Sequence, residues 1–110
     1  MTWNDLTSVQ QLDAVDAQSA VRPVVLFKHS TRCSVSATVW DRLRRGEAAL
    51  AGADCYYLDL IAHRDVSNAI ASRYGVVHES PQLIVVRNGQ AVWNESHFGI
   101  TAQAVGEAIR

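Results

Sequence analysis

Short apolar runs and helically spaced apolar residues alternate along the chain. Three runs of strand length, at residues 24–29, 55–60 and 83–86, predict β-strands. A fourth strand over residues 91–95 is predicted because Asn88-Gly89 is the residue pair that most favours a tight hairpin turn. The first run is apolar at nearly every position, which is typical of a strand covered on both faces of its sheet.

Helical spacing of apolar residues predicts a helix before the first strand and another directly after it. The first helix covers residues 8–19, and Thr7 and Gln10 have the spacing of a capping box at its start. The second helix begins at Cys33 or at the next residue and ends at Arg45, where several arginines suit the negative end of the helix dipole. These arginines could alternatively form an anion site.

Two further helices follow, and together with the strands they predict the fold class. Asp65 is predicted to cap the third helix, over residues 66–74, and Gly75 to end it. Thr101 is predicted to cap a short last helix. A strand–helix–strand unit has a right-handed crossover, so the first two strands should be parallel. Adding the hairpin gives an α/β fold: a four-stranded mixed sheet with helices on both faces.

Length, charge and composition narrow the class of protein. A chain of 110 residues is expected to form one domain, residues 1–110, with a core of its own. A net charge of -1 gives no basic footprint for nucleic acid. No apolar segment is long enough for a membrane span, and the N-terminus has no signal-peptide pattern. We therefore expect a cytoplasmic protein that binds neither nucleic acid nor membranes.

Cys33 is the candidate for chemistry. It follows a polar turn and stands at the first residues of the second helix, where unpaired N–H groups and the helix dipole favour thiolate over thiol. Arg32 beside it, with Lys28 and His29 nearby, adds positive potential. Thiol–disulfide exchange requires a thiolate, so we interpret Cys33 as a nucleophile; the alternative is an inert buried thiol.

Cys55 lies in the second predicted strand and is interpreted as a small core residue. Its alternative role, a disulfide with Cys33, would need Cα atoms about 4.4–6.8 Å apart. Two cysteines are too few for a disulfide scaffold and have no metal-ligand spacing. We therefore predict a reducing compartment, no metal site and no cofactor.

Two motifs carry a resemblance to a known family. The segment FKHSTRCSVS at residues 27–36, together with HESPQ at residues 78–82, resembles the YtxJ-like monothiol bacilliredoxins of the bacillithiol redox system. The resemblance covers the chain from about Pro23 onward and implies a thioredoxin-like fold. It also implies a thiol–disulfide oxidoreductase that removes bacillithiol from mixed disulfides. The implied partners are bacillithiol, a low-molecular-weight thiol, and thiolated client proteins.

The resemblance also implies a mechanism with one thiol. Ser36 stands where dithiol relatives carry a resolving cysteine, and Phe27 stands where they carry a buried acid. A mixed disulfide on Cys33 must then be resolved by a second small thiol. The Ser36 hydroxyl could donate a hydrogen bond toward the Cys33 sulfur, or the residue could simply fill space in the helix.

Four residues are implied to bind substrate. They are Thr31, Arg32, Ser80 and Pro81. In the superfamily this proline is cis and the backbone before it pairs with the bound thiol in the manner of a strand. The alternative is an ordinary trans proline at the start of a strand. His29, His78 and Lys28 are further candidates, which could hold carboxylates of an anionic thiol.

Two other functions remain open. Cys33 could belong to a redox sensor or adaptor that is modified by oxidants and has no turnover. Some monothiol glutaredoxins instead carry an iron–sulfur cluster between two subunits. Those proteins have a glycine and an aromatic residue where this chain has Ser34 and Val35, which argues against that function.

Overall fold

The computed structural model describes residues 2–110 and shows strands and helices in the order that the sequence predicts, with one addition. The strands are β1 (Trp3–Asp5), β2 (Val24–His29), β3 (Asp54–Asp59), β4 (Gln82–Arg87) and β5 (Gln90–Ser96). The helices are α1 (Gln11–Ser19), α2 (Ser34–Arg45), α3 (Arg64–Tyr74) and α4 (Ala102–Ala108), and short 3-10 turns cover Glu47–Leu50 and His97–Gly99.

The strands form one mixed sheet in the order β1-β3-β2-β4-β5. Strands β1, β3 and β2 run parallel to one another, and β4 is antiparallel to both of its neighbours, β2 and β5. The α/β class is confirmed, but the prediction of four strands was wrong by one. The missed strand, β1, is only three residues long and two of them, Asn4 and Asp5, are exposed. It therefore has no apolar periodicity, and only its pairing with β3 makes it a strand.

β2 is the central strand, and all six of its residues are buried. Because side chains alternate along a strand, Val24 and Leu26 enter one hydrophobic core while Val25 and Phe27 enter the other. The first core packs against α1 and α3, and the second against α2 and α4. β2 thus ends between two layers of helices.

Two of the predicted helix starts need correction. Residues 9 and 10 form a turn, so α1 begins at Gln11, and the Oε1 atom of Gln11, in place of Gln10, accepts the Ser8 amide at 2.9 Å. Asp65 does not cap α3: the cap is His63, and Asp65 lies in the first turn, where its charge suits the helix dipole. A cap can shift by one or two residues without changing the apolar stripe of the helix.

Three other predicted turns and caps are confirmed. The Thr101 side chain accepts a hydrogen bond from the Ala104 amide at 3.1 Å. Gly75 ends α3 in the left-handed conformation, with φ of 65°. Asn88 and Gly89 have φ of 51° and 73°, as a tight hairpin turn between β4 and β5 requires.

Candidate functional site

Cys33 lies at the junction between β2 and α2. The chain leaves β2 at His29, makes a turn over residues 30–32, and enters α2 with Cys33 as the N-cap residue. The Cys33 amide donates to the Ser30 carbonyl at 3.1 Å, and the Cys33 carbonyl accepts the Ala37 amide at 3.0 Å. Cys33 is half-buried and directly precedes the first helical turn, whose N–H groups have no partner within the helix. The predicted start of this helix is confirmed.

Ser36 is fully buried and ties this junction together. Its Oγ atom accepts the Ser30 amide at 3.0 Å and lies 2.7 Å from Nδ1 of His29. These two hydrogen bonds connect the end of β2, the turn and the first turn of α2. Of the two roles that the sequence left open for Ser36, the structure supports neither directly, because the hydroxyl is used to hold the backbone in place.

His29 is enclosed by aromatic rings on the α2 side of the sheet. Its ring centroid lies 5.9 Å from Phe27, 5.6 Å from Tyr57 and 6.3 Å from Trp40. Burial lowers the pKa of His29, and this outweighs the nearby charge of Asp59 and the hydrogen bond with Ser36, both of which raise it. The imidazole is therefore neutral at pH 7 and is too buried to hold a substrate carboxylate.

Lys28 points to the opposite face of the sheet and is completely buried. Its Nζ atom donates to Oε1 of Gln82 at 3.2 Å, and Nε2 of Gln82 donates to the Val77 carbonyl at 3.0 Å. Burial lowers the pKa of Lys28 from 10.5 to about 8. Lysine is rarely buried without a partner. Lys28 is thus an interior group and is not a surface ligand for an anionic thiol.

The other proposed substrate-binding residues lie at the same end of the sheet. Thr31 and Arg32 are exposed in the turn before Cys33. The pairing of Lys28 with Gln82 brings the start of β4, and with it Ser80 and Pro81, to the end of β2. The Ser80–Pro81 peptide bond is cis, as the family resemblance implies.

Ser80 has one further feature. Its Oγ atom is buried and has no hydrogen-bond partner among residues 2–110. Buried hydroxyl groups are usually hydrogen-bonded, so this oxygen is a free polar group beside Pro81. The neighbouring His78 is exposed, and its Nδ1 atom lies 3.4 Å from the Ser67 hydroxyl.

Cys55 is remote from this site and is sealed in the second core. It pairs with Val25, whereas the β3 residue that pairs with His29 is Asp59. Four residues of a strand separate Cys55 from that end of the sheet by about 13 Å. This distance exceeds the reach of a disulfide, so Cys55 cannot resolve a mixed disulfide on Cys33 without a rearrangement. Burial, with a smaller effect of the neighbouring carboxylates, raises the pKa of the Cys55 thiol to about 12.

Residues 2–110 contain neither a cluster of metal ligands nor a membrane-spanning helix. No group of three or more His, Cys, Asp and Glu side chains there could hold a metal ion. None of the helices in that range is both long and apolar enough to cross a membrane.

Comparison with known proteins identifies the family. The family model described as monothiol bacilliredoxin BrxC matches residues 4–105. The chain belongs to the monothiol bacilliredoxin family. A solved protein, described as a proposed oxidoreductase with a thioredoxin fold, is 33% identical with a TM-score of 0.85, and the match covers 97% of this chain and 93% of that one. The family resemblance is thereby confirmed, and it indicates a thiol redox function.

Thioredoxins share the fold at much lower identity. Thioredoxin from Malassezia sympodialis is 14% identical with a TM-score of 0.76, and the match covers 98% of this chain and 88% of that one. Mitochondrial thioredoxin 3 from Saccharomyces cerevisiae is 15% identical with the same TM-score of 0.76, over 97% and 92% of the two chains. The predicted thioredoxin-like fold is confirmed.

Sequence reasoning missed the interior network around Lys28 and the aromatic enclosure of His29. A signal for the first was present: Lys28 follows Val24 and Leu26 at alternate positions, so it continues a face that is otherwise apolar. No comparable signal existed for the second, because Tyr57 and Trp40 reach His29 from other elements.

We expect Cys55→Ala to lower stability without affecting thiol exchange. Removing a small buried side chain should lower the free energy of unfolding by about 1–2 kcal/mol through the cavity that it leaves. Urea denaturation measures the first effect, and the rate of adduct formation at Cys33 measures the second. Loss of exchange in a folded Cys55→Ala protein would contradict the assignment of Cys55 to the core.

We expect the stability difference between Lys28→Met and the natural protein to depend on pH. The native state disfavours the charged lysine, so it binds fewer protons than the unfolded state between about pH 8 and 10.5. The free energy of unfolding of the natural protein therefore rises as pH increases from about 8 to 10.5 and falls as pH decreases through the same interval. The advantage of Lys28→Met should be largest at pH 7 and shrink by up to about 3 kcal/mol at pH 10.5. Urea titrations at the two pH values measure this; a constant difference would contradict it.

Proposed function

We propose that this chain is a monothiol thiol–disulfide oxidoreductase that removes bacillithiol from mixed disulfides on client proteins. The observation that carries the proposal is the contrast between its two cysteines. Cys33 is half-buried at the start of α2, whereas Cys55 is sealed in the core. Ser36, one helical turn after Cys33, stands where dithiol relatives have their second thiol. Only one sulfur is therefore placed for exchange.

In the first step, the Cys33 thiolate attacks the bacillithiol sulfur of the client's mixed disulfide. The bond between bacillithiol and the client breaks, and the client leaves as a thiolate that takes up a proton from water. Cys33 now carries bacillithiol in a new disulfide. A second bacillithiol thiolate then attacks the bound bacillithiol sulfur, which yields bacillithiol disulfide and regenerates the Cys33 thiolate. The second thiol thus supplies the reducing electrons.

Neighbouring residues have roles in this proposal. The turn residues Thr31 and Arg32 are exposed and can contact the substrate before the Cys33 thiolate attacks it. The backbone of Ser80, before Pro81, pairs with the docked disulfide in the manner of a strand. Ser36 acts indirectly, by holding the turn that presents Cys33.

A bacillithiolated client protein, with excess bacillithiol as reductant, tests the proposal. We expect the natural protein to release many equivalents of reduced client, Cys33→Ser to release none, and Cys55→Ser to match the natural protein. Mass spectrometry of the client measures the release. An adduct on Cys33 without repeated turnover would overturn the enzymatic proposal and favour a redox sensor.

We expect Ser36→Cys to change how the bacillithiol adduct is resolved. The new thiol would stand one helical turn from Cys33, close to the neutral imidazole of His29, whose Nδ1 atom now lies 2.7 Å from Oγ of Ser36. That base can accept the thiol proton, and an internal disulfide can then displace bacillithiol from Cys33. The adduct should persist in the natural protein until external thiol is added, and it should fail to accumulate in the variant.

Intact mass over time, after exposure to bacillithiol disulfide, measures the adduct. Ser36→Ala is the matched control: it removes the hydroxyl that holds the turn but adds no thiol, so its adduct should form more slowly and still accumulate. A natural protein that never holds a stable adduct would refute the one-thiol mechanism.

A further inference from the structure

We propose that Lys28 and Gln82 form a buried latch that fixes the loop of residues 77–80 in the position needed for substrate docking. The latch is defined by two hydrogen bonds, from Lys28 to Gln82 and from Gln82 to the Val77 carbonyl. This inference rests on the proposed function, in which the backbone before Pro81 receives the substrate. It makes Lys28 and Gln82 positioning residues, since neither needs to touch the reacting sulfurs.

The geometry forms a continuous path from the central strand to the loop. Lys28 and Gln82 are opposite each other on the antiparallel strands β2 and β4. Nζ of Lys28 lies 3.2 Å from Oε1 of Gln82, and Nε2 of Gln82 lies 3.0 Å from the Val77 carbonyl. Both side chains are almost fully buried, at 0% and 1% exposure. Gln82 also follows Pro81 directly, so its side chain connects the strand after the loop to the first residue of the loop.

Packing alone does not explain a lysine at this position. The preceding side chains on the same face of β2, Val24 and Leu26, are apolar and belong to the first core. A methionine would fill similar space without the cost of burying an ammonium group. The lysine supplies what an apolar residue cannot, which is a strong donor that fixes the orientation of the Gln82 amide.

The loop needs such a fastening because little of it is packed. Val77, His78 and Glu79 are exposed, with Val77 at 83%. The other side-chain contacts of these residues are long: 3.4 Å from His78 to Ser67, and 3.7 Å from Glu79 to His97. Within residues 77–79, the bond from the buried Gln82 is therefore the firmest side-chain fastening that the structure shows.

The latch should affect docking and leave the reactivity of Cys33 unchanged. The backbone bonds that place Cys33 run to Ser30 and Ala37, on the far side of the sheet from the Lys28 side chain. Freeing the loop would leave these bonds intact. A mobile loop would lose conformational freedom each time a substrate pairs with it, so binding would weaken while the chemical step stayed the same.

The test compares the natural protein with Lys28→Met, Gln82→Met and the double variant. For Lys28→Met we expect an unchanged or higher Tm and loop order parameters that fall from about 0.85 to below 0.6 by ¹⁵N relaxation. We expect KM for a bacillithiolated client protein to rise about fivefold to tenfold at unchanged kcat. Alkylation of Cys33 by iodoacetamide should keep its rate. KM of the double variant should equal that of the single variant with the higher KM, because Lys28 acts on the loop only through Gln82.

Ser19→Ala is the matched control. Ser19 is also a buried polar residue; it donates to the Asp16 carbonyl at 2.7 Å and accepts the Gly89 amide at 2.9 Å, at the opposite end of β4. Its loss should lower Tm and leave the loop and KM unchanged. An ordered loop with normal KM in Lys28→Met would overturn the latch. If the natural protein shows no turnover, the proposed function fails, and the order parameters still decide whether the latch holds the loop.

Discussion

The hydrogen bonds of the Ser36 hydroxyl fix the junction on which the rest of the site depends. One buried oxygen accepts the Ser30 amide and meets the His29 ring, so the end of β2 and the first turn of α2 form a single unit. Cys33 lies between these two attachments and has no side-chain cap of its own. Its place at the N-terminus of the helix is therefore set by a residue three positions further along the chain.

The last two side chains of β2, Lys28 and His29, lie on opposite faces of the sheet. His29 faces α2 among aromatic rings, and Lys28 faces the first core, where it meets Gln82. Burial lowers the pKa of both. An apolar strand thus ends in two interior polar groups, one beside the Cys33 turn and one beside the loop before Pro81.

Phe27 bears on the proposed one-thiol mechanism. Its ring stacks on Trp40 at 5.4 Å and meets Trp3 at 6.5 Å, so the place where dithiol thioredoxins carry a buried acid is filled by aromatic packing. No carboxylate could enter this cluster without losing its hydration. Among residues 2–110, the nitrogen base that contacts the Ser36 hydroxyl is His29, whose Nδ1 atom lies 2.7 Å from the serine oxygen. Position 36 thus carries a hydroxyl that its hydrogen bonds with Ser30 and His29 hold in place.

The amino-acid sequence predicted four of the five strands, the four helices, the αL glycine after α3 and the hairpin, because each depends on neighbours within a few residues. It also determined that Cys33 opens a helix. It failed for β1, since Trp3–Asp5 becomes a strand only through pairing with β3. It also misplaced the cap of α3 and left the partners of Ser36 and the burial of Lys28 undecided. The last two were decided by tertiary structure. Lys28 is buried against Gln82, 54 residues away, and Ser36 meets Ser30 and His29 only because the turn brings α2 against the end of β2, and no local pattern records this packing.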